Sequence, residues 1–112
     1  VGFEVALDAL LLGRHAGHQA RKQGFPNNTD GPTDALRHCI WSCYLTEQFG
    51  STTARIITDI HERCAFTTWD AQAMDLFNNV IGRDIEERFG DCTRNCVRAL
   101  LSHQLIDLTA DW

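Results

Sequence analysis

Asp34 and His38 stand four residues apart. On a helix this spacing lets the carboxylate accept a hydrogen bond from the imidazole and settle which ring nitrogen is free. A histidine held that way is oriented as a general base or a metal ligand. Arg37 beside it can bind an anionic group or a developing negative charge, and Trp41 continues the same surface as the floor of a cleft. The plainer alternative is an aspartate favoured by the helix dipole, next to a partly buried histidine. Further along come His61, a candidate ligand or proton carrier, and Glu62, a candidate general acid or base. Adjacent residues point about 100° apart on a helix, so these two need not face one site. They are not the zinc-protease H-E-x-x-H, because Ala65 stands where the second histidine is required.

A third group is a polar stripe of Asp75, Asn78, Asn79, Gly82 and Arg83, set opposite an apolar stripe of Met74, Phe77, Ile81 and Ile85. Two asparagines and a glycine are poor helix-interior residues. The stripe is therefore a solvated face, a helix break, or a set of side-chain amides recruited for binding. Asp75 and Asn79, four apart, can jointly hold a metal, a substrate hydroxyl or the helix of Asp34 and His38. Arg14, His15 and His18 on the first helix, and His103 near the end, read as surface or satisfied core residues. No Gly-rich phosphate loop, nucleophile elbow or nucleotide fingerprint is present, which argues against a cofactor enzyme, although a divalent metal remains compatible with the residues.

The elements that must position these groups are all helical. A first helix is expected from about Phe3 to Gln23, with Phe3, Leu7, Leu10 and Leu11 as its apolar stripe. Gly13 and Gly17 weaken its second half and predict a kink or a close helix contact. The turn-rich segment Gly24 to Gly31 separates it from a helix that Pro32 opens and Gly50 closes. Ser51 is expected to cap a third helix, Asp70 a fourth ending at Gly90, and Asp91 a fifth running to about Leu108. The short turns predict neighbouring, roughly antiparallel helices. The fold class is thus all-α, a compact bundle of about five helices in a single domain over 1–112. Val1 in place of Met, and the lack of a tripartite leader, set the expectation of a domain cut from a longer chain.

At 112 residues and 44% hydrophobic, the chain can bury one core but hardly two. Its formal charge of −5, with no run of Lys or Arg, disfavours nucleic acid as a partner. The longest apolar run, near Leu10 to Leu12, is far short of the roughly 20 residues that span a bilayer. Cys39 and Cys43, and likewise Cys92 and Cys96, are spaced to share one face of a helix, so two facing helices can be cross-linked twice. Buried free thiols and a four-thiolate zinc site are the other readings. Disulfides would imply an oxidising compartment.

Taken in order, Gly31-Pro32-Thr33-Asp34-Ala35-Leu36-Arg37-His38, Trp41-Ser42, His61-Glu62, Met74-Asp75-Leu76-Phe77-Asn78-Asn79 and Gly82-Arg83 resemble a known pattern. It is G-P-x-D-A-x-R-H-x-x-W, then H-E, then M-D-L-x-N-N-x-x-G-R, in helical C-terminal domains of bacterial polymorphic toxins and secretion-system effectors. The resemblance covers about Gly31 to Arg83 and leaves the cysteines outside. It implies an antibacterial effector, secreted and delivered to a rival cell, with a cognate immunity protein as partner. Residues carried over are Asp34, Arg37, His38, His61, Glu62, Asp75, Asn79 and Arg83.

The expected function is hydrolysis of a cell-envelope component in the target periplasm or envelope, with peptidoglycan preferred to phospholipid. His38 serves as base oriented by Asp34, Glu62 as acid or second base with His61 nearby, and Arg37, Trp41, Asp75, Asn79 and Arg83 as substrate contacts. A glycosidase would need two carboxylates across the scissile bond, for which Glu62 and Asp75 are candidates. A phospholipase could use the His–Asp pair with calcium, though no calcium loop is present. A nuclease toxin would need a metal between His38, His61 and Asp75 and a basic groove from Arg37, Arg55, Arg63 and Arg83. A disulfide-stapled, non-enzymatic protein-binding module is the remaining alternative.

Overall fold

A computed structural model describes residues 2–65 and 67–109. Its elements are α1 (Phe3–Lys22), α2 (Pro32–Phe49), α3 (Ser51–Cys64), α4 (Trp69–Arg88) and α5 (Cys92–Leu101), in one compact all-helical bundle. The other four helices all pack against α2, and α4 also touches α3 and α5. The sequence of α2 explains its central place. Leu36, Cys39, Ile40, Cys43 and Leu45 are fully buried, and Thr33, His38, Ser42 and Thr46 are buried with them. A helix enclosed on most sides needs small or apolar residues around its circumference, and its polar members need internal partners. Thr46 answers by bonding to the Ser42 carbonyl, and Ser42 to the carbonyl of Asn79 at 2.6 Å.

α4 decides among the readings left open for its polar stripe, which is not a solvated face. Asp75, Asn78, Asn79 and Gly82 are buried, and so are Met74 and Ile85 of the apolar stripe, whereas Phe77 is 41% exposed. The reason is Gly82. A Cβ there would lie 2.2 Å from the Cys39 carbonyl oxygen, so only glycine lets the α4 backbone come this close to α2. With Gly82 turned inward, the residues one turn before it must turn inward too, and the asparagines become core residues.

α1 carries a correction. Phe3, Leu7, Leu10 and Leu11 are exposed, and the residues buried against α2 are Ala9, Ala16, Gly17 and Ala20. Small side chains permit close approach of the helices, and this decides the buried face over the larger leucines. The helix boundaries shift in three places. Gly50, at φ +86°, precedes α3, which begins at Ser51; Thr68, not Asp70, caps α4 by accepting from the Ala71 amide; and α5 stops at Leu101 rather than near Leu108. Beyond it the chain is held by tertiary bonds instead. Asn78 donates to the Ile106 carbonyl and accepts from its amide, and the Leu108 amide bonds to the Asp30 carbonyl. Asp91 caps α5 as predicted.

Two disulfides, Cys39–Cys96 and Cys43–Cys92, join α2 to α5 with Cα separations of 5.9 and 5.6 Å. Each helix offers its pair one turn apart, so the two bridges stack. Cys64 is free and exposed. Among the described residues no helix is long and apolar enough to cross a membrane.

Candidate functional site

His38 sits where α2, α3 and α4 meet, with 4% of its surface exposed. Its Nδ1 is 3.5 Å from Glu62 Oε2 of α3, and its Nε2 is 3.3 Å from Asp75 Oδ1 of α4 and 3.9 Å from Asp34 Oδ1. The Glu62 contact is an ion-pair distance, longer than a formed hydrogen bond, and Nδ1 has no hydrogen-bond partner among the described residues. A contraction of about half an ångström would close it, as happens in many sites on substrate binding. Behind Glu62, the Asn79 amide donates to the same Oε2 at 2.9 Å, and the Gln72 amide donates to the Glu62 carbonyl at 3.0 Å. Glu62 is 1% exposed, so these partners and not water define its charge state.

The carboxylates have opposite electrostatic settings. Burial pushes the Glu62 carboxyl up, but His38, the Asn79 amide and the more distant His61 outweigh it and hold it below the usual range. Burial raises Asp75 to about 6; His38 opposes this, while the nearby charges of Glu62, Asp34 and Asp30 add to it. Glu62 is therefore the fixed anion beside Nδ1. Asp75 is the group able to gain or lose a proton near neutrality beside Nε2.

His38 opens onto a cavity of about 790 Å³. Arg37 and Trp41 line it with His38 from α2, and His61 from α3. Trp41 is fixed by its indole N–H, which donates to the Ala9 carbonyl at 3.0 Å, and by His61, whose ring stands edge-on to it at 5.0 Å. Arg37 is bonded to Asp34 Oδ1 and lies 3.3 Å from His38 Nε2. Asp34 in turn accepts from the Asp30 amide, which ties it to the loop before α2.

Residues 5–107 match the family described as a domain of unknown function, DUF6973, which is all but the two ends of the chain. The chain belongs to that family. No solved structure matches it.

Within this DUF6973 domain, Asp34, His38 and Asp75 place one ligand atom each within 4.8 Å of one another. That is close enough to chelate a cation, but the Arg37 guanidinium already bonds Asp34 and approaches His38 Nε2, so a positive group stands where the ion would. The residues do not fit a resident metal unless Arg37 leaves. The second such cluster, Cys43, Glu86 and Cys92, has both sulfurs committed to a disulfide. Among the described residues, no cluster joins His61 to His38 and Asp75. The ligand set expected for a nuclease, His38 with His61 and Asp75, is therefore not brought together among the described residues. Nor is its basic groove. Arg55 pairs with Asp59, Arg83 reaches Thr58 Oγ1 at 3.4 Å, and neither they nor Arg63 lines the cavity.

The structure thus brings together Asp34, His38, Glu62, Asp75 and Asn79, and puts Arg37, Trp41 and His61 on the cavity wall. Arg83 stays outside, half-buried between α3 and α4, its guanidinium pKa lowered chiefly by burial. Asn79 is fully buried and positions Glu62 without reaching substrate space. Sequence reasoning missed Arg21, Leu10 and Ile60 in the cavity wall. The available signal was the pair Gly13 and Gly17, which mark the α1 face that turns toward it.

Proposed function

We propose that this domain is an effector-type toxin that hydrolyses an acyl bond, ester or amide, in a component of a bacterial cell envelope. The observation that carries this is the His38 imidazole, held between Glu62 at Nδ1 and Asp75 at Nε2 at the edge of a large cavity. Glu62 favours the tautomer with the proton on Nδ1, which leaves Nε2 basic. Nε2 takes a proton from water, the hydroxide adds to the acyl carbon, and the proton passes to the departing oxygen or nitrogen, giving a carboxylic acid and an alcohol or amine. Arg37, about half exposed, is placed to stabilise the oxyanion, and Asp75 to exchange the proton with Nε2.

Glycoside hydrolysis of peptidoglycan fits less well than expected. Its two carboxylates must flank a scissile bond, whereas Glu62 and Asp75 face the two nitrogens of one buried ring. The two disulfides favour work in an oxidising space, the target periplasm or envelope, and an immunity protein is the partner such a toxin requires.

The test is survival of a bacterial host that makes the domain in the periplasm or the cytosol, beside folded His38→Ala and Glu62→Gln variants. Killing confined to the periplasm and lost in both variants is expected. Killing from the cytosol alone, or by folded His38→Ala, would overturn the proposal, and the latter would favour a binding module.

A further inference from the structure

We infer that the cavity beside His38 binds a single anionic amphiphile, with its acyl chain between α1 and α3 and its charged head group on Arg21 and Arg37. This rests on the acyl-hydrolase reading and names the substrate class for it. The cavity has an apolar part made by Ala6, Leu10 and Gly13 of α1 and Ile57 and Ile60 of α3, over Trp41. Its volume lies within the range of about 300–1,000 Å³ usual for small-molecule sites. On α1 the residues at the wall include Ala6, Ala9, Gly13 and Gly17, one helical face of small side chains. A Cβ on Gly13 would approach the Trp41 indole nitrogen to 3.3 Å, so the small face is what keeps the trough open above its floor.

The charged groups of the wall are all of one sign. Arg14, Arg21 and Arg37 line the cavity together with His38 and His61, and among the described residues no Asp or Glu does. In a chain with a formal charge of −5 this is a selective concentration of cations, and it asks for an anion. Arg21 and Arg37 also line a neighbouring cavity of about 320 Å³, walled by Asn27, Asn28, Thr29 and Thr33. Its single acidic residue, Asp34, is already bonded to Arg37. The two cavities share Gly17, where an added Cβ would lie 3.1 Å from an Arg21 terminal nitrogen and 3.6 Å from Arg37 Cδ. An apolar chamber and a donor-rich chamber thus meet at two guanidiniums, which is the shape and polarity of a lipid with a phosphate or carboxylate head. Leu10 on α1 and Ile60 on α3 line the cavity and are both about half exposed, which gives it an apolar rim suited to a lipid surface.

The experiment is calorimetric titration of the oxidised protein with dodecyl phosphate below its micelle-forming concentration, beside dodecyl maltoside and inorganic phosphate. The proteins are the wild type, Ala6→Trp, Arg21→Gln and His38→Ala. Ala6 is exposed, so its tryptophan fills the trough without entering the core. Dodecyl phosphate is expected to bind saturably and at least about tenfold more tightly than either control. Ala6→Trp should weaken it about tenfold or more, and Arg21→Gln should remove the preference over the maltoside. Equal affinity for both detergents, inorganic phosphate binding as tightly as dodecyl phosphate, or indifference to both variants would overturn the inference. The probe has no acyl bond, so it reads the groove apart from turnover. Binding without any His38-dependent killing would overturn the hydrolase and keep the site; His38-dependent killing without binding would do the reverse.

Discussion

The Asn79 amide and the His38 imidazole meet the same oxygen, Glu62 Oε2, at 2.9 and 3.5 Å, so one buried carboxylate couples α4, α3 and α2. A charge this deeply enclosed is tolerable only because donors surround it. Replacing Asn79 by leucine removes the better donor and leaves the carboxylate to His38 alone. The expected cost is about 2–3 kcal/mol in unfolding free energy, as for hydrogen bonds to charged groups. Urea unfolding with the disulfides intact would measure it; a change within about 0.5 kcal/mol would show that Asn79 does not hold Glu62.

Asp75 makes stability depend on pH in a calculable direction. Its folded pKa is raised from 3.8 to about 6. The group therefore contributes fully below its unfolded value, and that contribution is lost as pH rises through about 6. Asp75→Asn should be stabilised relative to wild type by up to roughly 2–3 kcal/mol at pH 8, with the difference vanishing near pH 4. Glu62 acts in the opposite sense, since its folded pKa is depressed and its contribution disappears only in acid. Parallel unfolding midpoints for wild type and Asp75→Asn across pH 4 to 8 would contradict this account.

Gly82→Ala places a Cβ 2.2 Å from the Cys39 carbonyl oxygen, and backbone cannot yield as a flexible side chain would. A loss of about 3 kcal/mol or more is expected, or failure to fold. Gly2→Ala, with nothing within 4 Å, is the control and should be neutral. Thermal unfolding of the two would separate a packing requirement from a general intolerance of substitution.

The cysteines predict a thiol count. With Cys39–Cys96 and Cys43–Cys92 formed, native protein should take up one alkylating group, at Cys64, and five after reduction and unfolding. The bridges close loops of 57 and 49 residues in sequence separation, which by chain entropy corresponds to about 4 kcal/mol for either alone. Reduction should lower the unfolding midpoint sharply. Five reactive thiols in the native protein would refute the pairing.

Arg37 and Arg83 should separate cleanly. Arg37→Ala is expected to abolish most killing activity while leaving the unfolding midpoint nearly unchanged, because its side chain is half exposed on the cavity wall. Arg83→Ala should do the reverse, weakening the α3–α4 contact at Thr58 and sparing activity in the protein that remains folded.

Much of this protein was decided by local sequence. Pro32 and Gly50 bracket α2, Asp91 caps α5, and the four-residue spacing of each cysteine pair sets two thiols on one helical face, because caps and periodicity act over a single turn. The same spacing made Asp34 and His38 visible as neighbours. Which side of α1 faces inward could not be read that way, and for α4 burial of the polar stripe was only one of three open readings. An apolar stripe predicts burial only when nothing else competes, and here the small residues of α1 and Gly82 of α4 allowed a backbone approach that the larger side chains would have blocked. Only that packing carried Asn79 to Glu62, Asp75 to His38 and Arg21 to Arg37, since each pairing joins different helices whose relative rotation is set by contact and not by any spacing along the chain.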